Sequence, residues 1–163
     1  MTWHLDYTKP RKESLALEKL SEQGLMGYLP LKPVERIRHG KRQVLQEPLF
    51  HRYLFIEADD RFLMRRHAIR STPGVSYLLQ LGKIDASVDD ELIDIIRSLE
   101  TGHQGQVEAY FKPNSMVKIN QGIYHDLEAI FVEDQGEQRA LLLIQLLQTD
   151  TLITIDKHHL SKI

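Results

Sequence analysis

Arg36, Arg38, Lys41 and Arg42 crowd around a His39-Gly40 step, a density of fixed positive charge whose natural chemistry is the binding of phosphate. Gly40 permits the positive φ that a hairpin tip requires. Val34 and Ile37 lie before the tip and Val44 and Leu45 after it, so the pattern predicts a two-stranded ribbon that carries its cations into solvent. Catalytic chemistry is harder to find. The eight histidines are scattered, and neither His158-His159 nor the pairs Asp59-Asp60 and Asp89-Asp90 has metal-ligand spacing; the carboxylates read as helix caps. There is no cysteine, which removes disulfides, thiolate nucleophiles and thiolate metal sites. No phosphate loop, nucleophile elbow or zinc motif occurs. The expectation is a binding protein, not an enzyme, with no cofactor and no metal.

The elements that must hold these residues can be read in order. Trp3, Leu5 and Tyr7 alternate with His4 and Asp6, predicting a half-buried first strand. Pro10 suits a first helical turn, Leu15, Ala16, Leu17 and Leu20 give an apolar stripe, and Gly24 is the stop. Leu25 to Leu31 is a second extended run. After the ribbon, Pro48 bars a central helix and Tyr53 to Ile56 reads as a buried strand. Asp59 or Asp60 caps a helix through about Ile69, with Arg61, Arg65, Arg66 and Arg70 on its exposed face. A turn at 71–74, a strand from Val75 to Leu81, and a helix capped by Ser87 and carrying Leu92, Ile93, Ile96 and Leu99 complete an α+β sandwich over residues 1–99. Residues 100–109, ETGHQGQVEA, have linker composition. Residues 110–163 form a second, small domain in which Met116 to Ile119, Leu127 to Val132 and Leu152 to Ile155 read as barrel strands, with turns at 120–122 and 134–136.

The charge is polarised. Residues 1–73 hold 14 Lys and Arg against 9 Asp and Glu, a net of +5, while residues 74–163 hold 7 against 14, a net of −7. A basic front half suits a nucleic-acid backbone, which would repel the acidic rear half. The N-terminal MTWHLDYTKPRK has no apolar core before a cleavage site, and no stretch reaches the roughly 18 apolar residues of a membrane span. A cytoplasmic protein with no membrane contact is expected.

Gly-Lys-Arg at 40–42, Glu-Pro-Leu-Phe at 47–50 and Tyr-Leu-Phe at 53–55 resemble the NusG family of transcription elongation factors, and within it the specialised RfaH branch. The likeness continues through Trp3, Thr72-Pro73-Gly74-Val75, Ala129-Ile130-Phe131, Arg139 and the leucine run after it. It implies an NGN domain followed by a KOW domain, a monomeric partner of RNA polymerase rather than a catalyst. By the same resemblance Tyr7, Phe50, Tyr53, Phe55, Ile93 and Ile96 form an apolar hollow for the clamp helices of the polymerase β′ subunit, although the residues alone also fit a plain core. Arg65, Arg66 and His67 would approach the β-subunit gate loop. Lys9, Arg11, Lys12, Lys19, His39, Lys41 and Arg42 would meet the non-template single-stranded DNA of the transcription bubble, by tracking and stacking. Leu15 and Pro73 stand where the RfaH branch has DNA-contacting arginines, and His39 replaces another, so the same DNA element is not implied. The glycine-bearing loop common in the family is here Ile123 to Leu127.

Glu137 to Gln148, EQRALLLIQLLQ, is a barrel strand by the family pattern, yet nearly every residue in it is a good helix former and Ile144 is its single β-branched residue. Two packings are therefore expected to compete, and the resemblance implies which: an SH3-like β-barrel, and an autoinhibitory α-helical hairpin laid over the polymerase face. In the hairpin the resemblance implies an interdomain ion pair between Glu47 and Arg139, with Phe131, Leu142, Leu143 and Leu146 at the contact. The function implied is antitermination: suppressing pausing and termination, with autoinhibition by the C-terminal domain. A small-subunit ribosomal protein is a further implied partner. The rivals are a constitutive NusG-type factor without autoinhibition and an RNA- or ribosome-binding module.

Overall fold

The computed structural model describes the backbone of residues 2–101 and 117–160, with side chains over 2–101 and 122–149. Strand β1 (Thr2–Thr8) leads into helix α1 (Glu13–Glu22), then β2 (Gly27–Tyr28), β3 (Leu31–Arg38), β4 (Lys41–Pro48) and β5 (Tyr53–Glu57). Helix α2 (Asp60–Ile69), the short strands β6 (Val75–Leu78), β7 (Gln80–Leu81), β8 (Ile84–Asp85) and β9 (Ser87–Asp89), and helix α3 (Asp90–Thr101) follow. Two further helices, α4 (Val117–Phe131) and α5 (Gly136–Leu160), complete a mixed α/β chain.

The principal sheet runs β2-β5-β1-β6, with β9 also on β1. All its pairings are antiparallel. A strand has two edges, and β5 takes one of those of β1 over Trp3 to Tyr7. On the other edge β9 pairs with Thr2 to His4 and β6 with Asp6 to Thr8. The first strand is thus central, and buried residues on both of its faces, Trp3 and Leu5 on one and Asp6 and Thr8 on the other, replace the half-buried pattern that alternation predicted. Asp6 and Thr8 are both fully buried.

The two faces carry separate cores. Leu54 and Ile56 of β5 lie with Ala16 and Leu20 of α1 and Phe62 and Ile69 of α2. Trp3, Leu5 and Phe55 lie with Leu92, Ile93, Ile96 and Leu99 of α3, and in the same cluster are Leu127 and Ile130 of α4 and Ala140, Leu143 and Leu147 of α5. Helices thus sit on both faces, α1 and α2 together on one of them.

Local signals placed most boundaries. Gly24, at φ +82°, ends α1, its N–H donating to the Ser21 carbonyl. Asp59 caps α2 by accepting from the Phe62 N–H at 2.9 Å. For α3 the cap is Asp89, which accepts from the Leu92 N–H at 3.0 Å; Ser87 instead belongs to β9. Pro10 stays in the turn before α1, whose first residue is Glu13. The run from Val75 to Leu81 is split into β6 and β7.

The C-terminal segment departs most from the strand reading. Val117 to Ile119, Leu127 to Phe131 and Leu152 to Ile155 are helical, so the hairpin packing, and not the barrel, is the form described. Helix propensity across 137–148 explains α5, and its apolar side chains find cover against the first domain. Glu100 and Thr101, read as linker, close α3. The rest of that linker, and the first residues of the C-terminal domain through Met116, lie outside the described residues. No described helix is long and apolar enough to cross a membrane.

Candidate nucleic-acid and protein interface

The ribbon forms as the sequence predicts, in its own two-stranded sheet. Arg38 pairs with Lys41 across a two-residue tip, and both tip residues have positive φ, His39 at 53° and Gly40 at 74°. That is the turn whose twist matches two antiparallel strands. His39, Lys41 and Arg42 are exposed, as are Lys9, Arg11 and Lys12 around the start of α1, and Lys19 is half-buried. Lys19 also faces Glu22 at 3.4 Å, so its charge is shared on the helix surface.

The aromatic and aliphatic side chains assigned to a hollow are not open. Phe50, Phe55, Ile93 and Ile96 are each at most 1% exposed, because α4 and α5 cover them. Phe50 and Phe55 meet edge to face at 6.2 Å. Tyr53 and Tyr7 remain half-buried at the rim, rings 5.1 Å apart. Burial, with the Tyr7 and Tyr77 hydroxyls adding to it, pushes the Tyr53 phenol up to about 12. From the covering side, Leu143 is fully buried, and Phe131, Leu142 and Leu146 pack partly buried against the same cluster.

Polar contacts fix the tip of the α4–α5 hairpin to the base of the ribbon. The Arg139 Nε–H donates to the Leu49 carbonyl at 2.6 Å and its Nη1 to the Glu133 carbonyl at 2.5 Å. Lys32 donates from Nζ to the Phe131 and Glu133 carbonyls, a cation at the C-terminal end of α4 where the helix dipole favours one. The His51 N–H donates to the Gly136 carbonyl at 3.2 Å. The Glu47–Arg139 ion pair implied by the resemblance is absent among the described contacts. Glu47 is held by Arg36 through two bonds of 3.1 Å, with His51 at 3.8 Å. Arg139 is fully buried with its Nη2 unpartnered; burial lowers its pKa, and Glu47 acts on it only as a nearby charge.

Between α5, the ribbon and the β1–α1 loop lies an open groove of about 1090 Å³, with Tyr7, Arg11, Arg38 and Arg52 on one wall and Leu141 and Ile144 on the other. Arg52 was not singled out by sequence. Its guanidinium lies over the Tyr7 ring at 4.1 Å, and its Nε–H donates to the Thr8 carbonyl at 2.9 Å. Its own N–H donates to the buried Glu13 carboxylate at 3.0 Å, which holds the residue at φ 72°. A positive φ at arginine has no sequence signature. Lys32, His51 and Gly136 were missed for a different reason: their partners lie across the domain contact. On α2, Arg65 and His67 are exposed, whereas Arg66 is tied to Asp85 at 2.8 Å, and that bond outweighs partial burial to hold the Asp85 carboxyl below its usual range. Among the described residues no group of His, Asp and Glu is placed to hold a metal.

Fold and site together define an α/β domain with a cationic ribbon, beside an apolar face closed by a helical hairpin. A family model described as "Transcription termination factor nusG" matches residues 1–97, and the chain belongs to the NusG family. A transcription termination/antitermination protein NusG of Escherichia coli O6:H1 is 23% identical over 158 residues, covering 93% of this chain and 85% of its own. The protein of the same description from Buchnera aphidicola is 25% identical over 159 residues, with the same coverage. A solved structure describing domain interaction in Thermotoga maritima NusG is 18% identical, with a TM-score of 0.42 over 62% of this chain and 58% of that one.

Proposed function

We propose that this chain is a transcription elongation and antitermination factor of the RfaH type, whose C-terminal hairpin inhibits it. In this reading the face formed by Phe50, Phe55, Ile93 and Ile96, rimmed by Tyr7 and Tyr53, grips the clamp helices of the polymerase β′ subunit, a helix laid in an apolar groove. Arg65 and His67 reach the β gate loop, and the cations of the ribbon and the β1–α1 loop hold the non-template strand. Bridging the clamp favours its closed state, and processivity follows by population shift without chemistry. Released, residues 110–163 form the small barrel and become available to a small-subunit ribosomal protein. The protein acts in the cytoplasm as a monomer.

The observation that carries this reading is the cover itself. Leu127, Ile130, Leu143 and Leu147 bury the very face the family resemblance assigns to polymerase, and they come from a segment whose family pattern is a barrel. The test is capture of RNA polymerase by the full chain, by a chain ending at residue 101, and by each with Tyr53→Ala. Stronger capture by the shortened chain, lost on Tyr53→Ala, is expected. Equal capture would replace autoinhibition with the constitutive NusG-type reading, and binding of RNA without polymerase would favour a ribosome-associated module. Circular dichroism of the isolated 101–163 segment checks the second packing: helix retained there as in the full chain would end the refolding idea.

A further inference from the structure

The ribbon register separates two faces. Residues directly opposite one another share a face, so Val34, Arg36 and Arg38 lie with Leu45, Gln43 and Lys41, while Glu35 and Ile37 lie with Val44 and Arg42. The first face turns toward the body of the protein, since Val34 is buried and Lys32, on the same face, reaches the Phe131 and Glu133 carbonyls. The second faces away, and it carries two bare β-branched side chains, Ile37 at 75% and Val44 at 67% exposure. They are diagonal neighbours across the strands, with Arg42 opposite Ile37 and Glu35 opposite Val44. Arg38 and Lys41 close the tip on the other face, and among the described residues the ribbon pairs with no other strand.

We infer that this outer face enters the major groove of duplex DNA, with Ile37 and Val44 against thymine methyl groups, Arg42 of the same face on a flanking phosphate, and Lys41 at the exposed tip reaching phosphate from the edge of the ribbon. The occupant follows from charge and shape together. A cation beside an apolar pair, with a second at the ribbon's tip, matches a polyanion whose groove floor offers methyl groups, and the major groove is wide enough for a two-stranded ribbon. The minor groove is too narrow for both strands and presents no methyl. Glu35 bounds the face toward the body, so contact is confined to the outer half of the ribbon. This inference goes beyond the polymerase reading and stands on the ribbon alone.

The test measures fluorescence anisotropy of the full chain on a labelled dA·dT duplex about two helical turns long, on the same duplex with every thymine replaced by uracil, and on the single strands. Replacing thymine by uracil removes only the methyl, and is expected to weaken binding about fourfold for each methyl covered. Ile37→Ser with Val44→Ser should weaken thymine binding to the uracil level and abolish the difference between the two duplexes, while leaving the salt dependence unchanged. Lys41→Ala or Arg42→Ala should instead lower the slope of log affinity against log salt by about one each and keep the methyl effect. Because both apolar side chains are exposed, the unfolding midpoint of the serine variants is expected to be unchanged, and the thymine–uracil comparison needs no variant at all. Equal affinity for the two duplexes, a methyl effect that survives the serine substitutions, or binding confined to single strands would each overturn the inference.

Discussion

Arg139 reaches across the domain contact to donate its Nε–H to the Leu49 carbonyl at 2.6 Å, fully buried and without an acid partner in direct contact. The hairpin is therefore latched by an arginine on backbone carbonyls. A buried guanidinium is costly to desolvate, and here only two of its nitrogens are engaged.

Arg139→Met removes the latch and strands the buried Leu49 carbonyl, which costs about 1–3 kcal/mol, partly offset by losing the buried charge, while the Glu133 carbonyl keeps the Lys32 ammonium. A net loss of about 1 kcal/mol from the closed form is expected, raising amide exchange of residues 137–149 about fivefold. Unchanged exchange would show that leucine packing alone holds the hairpin.

Two glycines give opposite responses to one substitution. A Cβ at Gly136 would lie 2.0 Å from the His51 ring, so Gly136→Ala must push that ring aside and is expected to loosen the hairpin by about 1 kcal/mol. In a His51→Ala background the same change should be harmless. Gly122 has nothing within 4 Å and lies inside α4, so Gly122→Ala should stabilise the helix by about 0.5–1 kcal/mol. Urea denaturation of the four variants measures both.

Asp6 makes stability depend on pH. It is fully buried on β1, with no hydrogen-bond partner for either oxygen among the described residues, and burial raises its pKa to about 8. The folded state binds the proton more tightly than the unfolded chain does, so this contribution is whole below pH ~4 and is lost as pH rises through about 8. Asp6→Asn should remove a decline on the order of 1 kcal/mol per pH unit between those limits. Urea midpoints at pH 5 and pH 8 test it. A wild-type difference no larger than that of the variant would refute the claim.

Arg66 and Asp85 form a bidentate pair at a partly exposed site, worth less than about 1 kcal/mol to folding. Asp85→Asn is expected to leave the thermal midpoint nearly unchanged and to free Arg66. If α2 meets polymerase as proposed, the chain ending at residue 101 should then bind more tightly in the pull-down, whereas Arg66→Ala should lose that gain.

Much of the first domain was legible because its signals are local. The ribbon came from Gly40 between alternating apolar residues, and α2 from Asp59 three residues before a buried phenylalanine. Asp6 misled the reading of β1, because a carboxylate on a strand normally marks a solvent face, and only the packing of α2 on that face, where His4 stacks on Phe62, reveals that it is covered. The C-terminal domain was ambiguous for a physical reason: residues 137–148 have the propensity of a helix and the family pattern of a strand, and contact with Phe50, Phe55, Ile93 and Ile96 supplies cover for the helical form. The ion pair between Glu47 and Arg139 was not decidable from sequence, since Arg36 competes for the same carboxylate from the neighbouring ribbon strand.

The placement of β1 also bears on biosynthesis. β1 pairs with strands that all come later in the sequence and end at Glu57, Leu78 and Asp89, so the sheet cannot close until Asp89 has been made. Until then its apolar side chains stay uncovered, and a nascent chain stalled before Asp89 is the species most in need of a chaperone.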